Sequence, residues 1–101
     1  MSSVFGLIGI AKKANMIIFG DALLNAFKEK KIKLLIVTND ASSRTKKHML
    51  SKCDHYHVDY IFEFDAIELN KAIGRSNIKA IGIIDTNLAN RVYELYRNEV
   101  G

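Results

Sequence analysis

The segment SKCDHYHVDY, residues 51–60, sets a cysteine and two histidines at alternate positions, Cys53, His55 and His57. A thiolate and two imidazoles would supply three of the four ligands of a tetrahedral zinc site. A thiol beside an imidazole would instead form an activated nucleophile. Both chemistries need the side chains to converge, so the element that carries them decides the matter. Asp40 and Asp85 form a second candidate set, since each follows an apolar run of strand length, a place where catalytic acids occur. Gly6-x-x-Gly9 is a third. A dinucleotide fingerprint needs a preceding strand and three spaced glycines, and this pair has neither. The sequence holds no Gly-Lys-Ser/Thr phosphate loop and no nucleophile elbow.

The spacing of apolar residues predicts the elements that position these groups. Val4 to Ala14 reads as a helix, capped by Ser2 or Ser3 and ending in Lys12-Lys13, whose charges suit the negative end of the helix dipole. Asn15 falls where a left-handed cap belongs. Residues 16–19 form a short strand. Gly20 and Asp21 turn the chain into a second helix, to about Lys30, with Leu23, Leu24 and Phe27 on its apolar face. KLLIVT, residues 33–38, is a continuous apolar run, the pattern of a strand buried on both faces. The polar loop NDASS offers several caps for a third helix, which runs to about Tyr56. Residues 58–62 form a strand. Asp65-Ala66-Ile67-Glu68 has capping-box spacing and opens a fourth helix that ends at Gly74. IKAIGII, residues 78–84, is a strand, and Asp85 or Thr86 caps a last helix through Tyr96. This alternation predicts an α/β fold: a three-layer α/β/α sandwich around a four-stranded, largely buried sheet, read as mixed, in one domain spanning residues 1–101.

The third helix settles the opening question. Thr45, Met49, Cys53 and Tyr56 share one stripe, with Leu50 beside it, so Cys53 is expected in the core as a small hydrophobe. Arg44, His48 and His55 fall on another face, with Lys47, Ser51 and Lys52 nearby, and are expected in solvent. His57 lies at the helix–strand junction. No second ligand cluster completes a zinc site, and a buried thiol is no nucleophile. No metal, cofactor or catalytic set is expected. Asp40 and Asp85 are expected to cap helices, and Gly6 and Gly9 to let the first helix pack closely.

Composition narrows the function class. The chain has 101 residues, 49% of them hydrophobic and 26% charged, as in soluble globular proteins. Its longest apolar run, Val4 to Ala11, is far short of the ~20 residues that span a bilayer and has no signal-peptide context. No membrane partner is expected, and the location is expected to be cytoplasmic. One cysteine allows no internal disulfide, which fits a reducing compartment. The net charge of +4 and the pI near 9.3 suit a polyanionic partner.

Five stretches in order, GLIGIAKKA, KLLIVTNDAS, TKKHMLSKCDHYHV, ELNKAIG and IIDTNLANRV, cover the chain from about Leu7 to Tyr96. Together they resemble the ribosomal protein L-seven-Ae type of kink-turn RNA-binding proteins, nearest to the small bacterial YlxQ-like branch. The resemblance implies an α/β/α sandwich and non-enzymatic binding of structured RNA, either a kink-turn or ribosomal RNA, with ribosome or ribonucleoprotein association. It also implies that RNA meets one end of the domain. The matching positions are Gly20, Asp21, Ala22 and Asn25 at the second helix, Asp40, Ala41 and Ser42 before the third, and Arg75, Ser76, Asn77, Ile78 and Lys79 before the last strand. In this reading Arg75 and Lys79 neutralise phosphates, and Ile78 packs under an unstacked base.

One departure from the family pattern bears on function. Its kink-turn readers carry an Asn-Glu pair and a downstream Lys after the glycine. Here the pair is Ala22-Leu23, and Asn25 or Ala26 stands near the lysine position. Loss of base-edge groups removes specificity more than general affinity. The alternative is therefore a protein-interaction module of the same fold that has lost specific kink-turn recognition.

Overall fold

The structure, a computed structural model, describes residues 3–100. Its order is α1 (Ser3–Lys13), β1 (Ile17–Phe19), α2 (Ala22–Lys28), β2 (Leu34–Thr38), α3 (Ser43–Tyr56), β3 (Asp59–Phe64), α4 (Ala66–Ile73), β4 (Ala80–Ile83) and α5 (Thr86–Val100). Ser2, one of the two expected caps of α1, lies outside the described residues; Ser3 is the first helical residue. Asn15 takes the expected left-handed conformation after α1, at φ 58°.

The sheet is mixed, in the order β1-β4-β2-β3. β4 runs antiparallel to both β1 and β2, whereas β2 and β3 are parallel. All five residues of β2 are buried, as its unbroken apolar run predicts. Successive side chains of a strand point to opposite faces. Leu34 and Ile36 accordingly join a core made with Ile8 of α1, Leu69 of α4 and Val92 of α5. Leu35 and Val37 join a second core with Leu23 and Phe27 of α2 and Cys53 of α3. Three helices thus cover one face and two the other, which is the three-layer arrangement read from the alternation.

Several boundaries differ from the expected ones, each for a local reason. Leu24 leaves the α2 face and is 40% exposed. In this seven-residue helix Leu23, Ala26 and Phe27 form the i, i+3, i+4 stripe, and Leu24 lies about 100° from Leu23. β3 starts at Asp59 because the Val58 N–H is taken by the Cys53 carbonyl at 2.9 Å, closing α3. It runs on to Phe64 across a bulge in which Glu63 has φ 67°. β4 starts only at Ala80, because the Asn70 side chain occupies the backbone groups of Ile78. α5 continues past Tyr96 to Val100.

Candidate nucleic-acid interface

Strand directions decide which loops meet. β1, β2 and β3 run one way and β4 the other. The carboxyl ends of the first three strands therefore share one end of the sheet with the start of β4. Phe19 pairs with Ile81, and Val37 with Ala80. The Thr38 N–H donates to the Lys79 carbonyl at 2.8 Å, and the Asn39 N–H to the Phe64 carbonyl at 2.8 Å. The loops after β1, β2 and β3 and the loop before β4 converge there, although about sixty residues separate the first from the last.

Side chains lock these loops to one another. The Asn70 amide clamps Ile78: it donates to the Ile78 carbonyl at 3.1 Å and accepts from the Ile78 N–H at 3.0 Å. The same nitrogen donates to the Ala66 carbonyl at 2.8 Å. This fixes the loop before β4 to the body of α4 and supports Asn77 in a left-handed conformation, φ 60°. The Arg75 guanidinium carbon lies 5.2 Å from the centre of the Phe19 ring, a cation–π contact that ties this loop to the end of β1. Lys79 Nζ lies 2.6 Å from Asp40 Oδ2, and the buried Thr38 hydroxyl donates to Asp40 Oδ1 at 2.6 Å. The hydrogen bond from Lys79, reinforced by that from Thr38, holds the Asp40 carboxyl below the usual carboxylate range. Asp40 is thus an ion-pair residue and not the expected helix cap. Ser42 caps α3 instead, accepting from the Thr45 N–H at 3.1 Å. Asp85 does cap α5, accepting from the Leu88 N–H at 2.9 Å.

The remaining residues expected at this end are placed as follows. Gly20 has φ 73° and ends β1 in a left-handed turn that favours glycine. Asp21 and Ala22 are exposed beside it, and Asp21 makes no side-chain cap bond. Asn25 is exposed, three residues into α2. Ala41 is buried and Ser76 exposed. Ile78 is half-buried and packs against the core, so its apolar surface is partly used. The exposed aliphatic surface at this end belongs to Leu24 and to Ile67, the latter 73% exposed. Ile67 borders a small cavity of about 170 Å³ together with Asp40, Asn70 and Asn77.

Asn70, Phe19, Thr38 and Ile67 were not picked out by sequence reasoning. A signal existed for Ile67: it lies off the Leu69–Ile73 stripe of α4, and helical periodicity puts it in solvent. None existed for Asn70, whose partner is eight residues away across a left-handed turn.

Cys53 is 2% exposed, packed in the α2–α3 core, and burial pushes its thiol up to about 12, with Asp54 and Asp59 adding to the shift. His55 and His57 are exposed; His57 closes α3 in a left-handed conformation at φ 58°. Among the described residues no three His, Cys, Asp or Glu side chains group to hold a metal. No described helix is long and apolar enough to cross a membrane.

Known proteins match this chain along nearly its whole length. It is 30% identical over 92 residues to RNA-binding protein YlxQ of Bacillus subtilis (strain 168), spanning 90% of this chain and 92% of that protein. It is 37% identical over 90 residues to RNA-binding protein YlxQ of Enterococcus faecium, spanning 88% and 86%. The chain belongs to the YlxQ family. No protein-family model matches it. Among solved structures, a protein of unknown function from Bacillus halodurans C superposes with a TM-score of 0.90 at 26% identity, over 96% of this chain and 99% of that one. The Giardia lamblia 15.5kD RNA binding protein superposes with a TM-score of 0.73 at 22% identity, over 93% and 82%, and shares the fold. Membership in the YlxQ family agrees with the branch that the five sequence stretches resembled.

Proposed function

We propose that this protein is a non-enzymatic, cytoplasmic, single-domain binder of structured RNA, and that RNA docks on the loop cluster around Gly20, Ser42 and Ile78. The observation that carries this reading is the convergence of those loops on one sheet end, with Arg75 and Lys79 at its rim, in a chain whose YlxQ relatives are named for RNA binding. The mechanism is selection: the protein stabilises the one RNA conformation whose backbone meets the cations and whose splayed base meets exposed aliphatic surface. Ile67 and Leu24 supply that surface, with Ile78 behind them as packing. Kink-turn or ribosomal RNA is the class we assign, with ribosome or ribonucleoprotein association. Leu23 is 3% exposed, so no base-reading group can replace it without opening the core. Sequence readout at the turn is correspondingly weak and shape readout dominates.

A protein-interaction module would favour an apolar end without basic flanks. Arg75, exposed and stacked on Phe19 in the same loop cluster, has no carboxylate partner among the described residues. The test is binding to folded RNA as a function of salt. Arg75→Ala should weaken binding about equally across RNA sequences and lower the salt slope by roughly one contact. A slope near zero for the wild-type protein, or no folded RNA recovered by crosslinking in cell extract, refutes the reading and favours the protein-interaction module.

A further inference from the structure

A groove of about 430 Å³ lies between α1 and α4, beside the loop cluster. Lys12, Lys13 and Lys71 line it, and no acidic residue does. None of the three lysines has an ion-pair partner among the described residues. Gly6 and Gly9 lower its α1 wall, and Ile10 on the same helix is 59% exposed. A Cβ at Gly9 would lie 3.5 Å from the Ala72 carbonyl, an ordinary van der Waals contact, so α1 passes near α4 here without requiring a glycine. A Cβ at Gly6 would meet nothing within 4 Å. Gly6 therefore is not needed for packing, and its bare backbone leaves the groove open.

The groove is continuous with the proposed interface. Gly74, which ends α4 at φ 68°, lines the groove, and the next residue, Arg75, lies on Phe19 in the loop cluster. On α1 the lining runs from Gly6 to Lys13, about 10 Å of helix, which is room for two or so phosphates of one strand. Uncompensated lysines along a channel with a low, glycine-lined wall fit a polyanion backbone that approaches closely.

We propose that the α1–α4 groove is a second RNA-contacting surface, which takes the sugar–phosphate backbone of a helical arm leaving the loop cluster. It rests on the RNA-binding reading above. The groove adds affinity without base contacts, so it lets a domain with weak sequence readout favour a bend in which one arm folds back along its side.

The test uses the full-length protein and two hairpin RNAs with the same asymmetric purine-rich internal loop. One has a short arm; the other has that arm extended by about one helical turn. The wild-type protein should bind the long-armed RNA roughly ten-fold tighter, with a salt slope steeper by about two. Lys13→Glu with Lys71→Glu should abolish that gain and leave the short-armed RNA unaffected. Gly6→Gln fills the groove where there is open space, keeps the fold, and should abolish the gain as well. Arg75→Ala should weaken both RNAs equally. If both groove variants retain the ten-fold gain while Arg75→Ala still weakens binding, the groove proposal is overturned and the loop-cluster reading stands. If the wild-type protein binds neither RNA, the loop-cluster reading fails and the groove with it. If the groove variants alter binding of an acidic amphipathic peptide and not of the long-armed RNA, the groove is a protein site and the proposal is wrong.

Discussion

Asn70 gives the sharpest test of how the interface is built. Its side chain makes three hydrogen bonds, two to the backbone of Ile78 and one to the Ala66 carbonyl. Asn70→Ala removes all three and leaves the half-buried Ile78 backbone without protein partners. At ~0.5–1.5 kcal/mol per neutral bond, and with water replacing part of the loss, the cost to stability is about 1–3 kcal/mol. The larger consequence is for binding. Freed of the clamp, the loop around Asn77 must be re-ordered when RNA binds, at ~1–2 kcal/mol per backbone residue. Re-ordering one or two residues weakens binding by about 10- to 100-fold. No phosphate contact is lost, so the salt slope should keep its wild-type value. Asn70→Asp should be as damaging, because it keeps the acceptor for the Ile78 N–H but turns a carboxylate oxygen toward two carbonyls. Urea unfolding measures the first effect, hydrogen exchange of the Ile78 amide the loosening of the loop, and RNA titration at two salt concentrations the third. Unchanged Ile78 protection together with unchanged RNA affinity in Asn70→Ala would refute the clamp.

Asp40→Asn frees Lys79 from its carboxylate, so RNA affinity should rise several-fold and the salt slope by about one; a fall in affinity would mean that the pair shapes the loop more than it masks the charge. Cys53→Ala should cost about 1 kcal/mol through lost packing and leave RNA binding intact, and the native thiol should resist alkylation at neutral pH. Because folding raises this thiol from its ordinary 9.0 to about 12, the unfolded chain loses the proton first; the wild-type protein should lose stability relative to Cys53→Ala as pH rises above 9.0. Leu23→Glu should unfold the protein or destabilise it by several kcal/mol, since it buries an unpaired charge. Ala22→Asn at the neighbouring exposed position should fold normally, and a kink-turn competition assay will read any added base preference.

Much of this protein is written in local pattern. The buried strand KLLIVT, the stripe that carries Cys53, the left-handed residues Asn15 and Gly74, and the capping box at Asp65 are short-range consequences of side-chain spacing, and each is found where the sequence puts it. The Asp65 carboxylate, for one, accepts from the Glu68 N–H at 3.0 Å. Alternating helices and strands also fix a layered α/β architecture, because each element has one apolar side to cover.

Tertiary structure alone decided three other things. Strand order and direction set which loops share an end, and no periodicity encodes the antiparallel insertion of β4 between β1 and β2. Asp40 and Asp85 look alike in sequence, each following a strand. Only Asp85 caps a helix, because Lys79 and Thr38 are near Asp40 in space. The α1–α4 groove, too, joins lysines nearly sixty residues apart. Hydrophobic burial is read residue by residue against a local period, whereas a hydrogen bond or ion pair between distant segments depends on the relative placement of whole elements, which the packing of both cores fixes only in the folded chain.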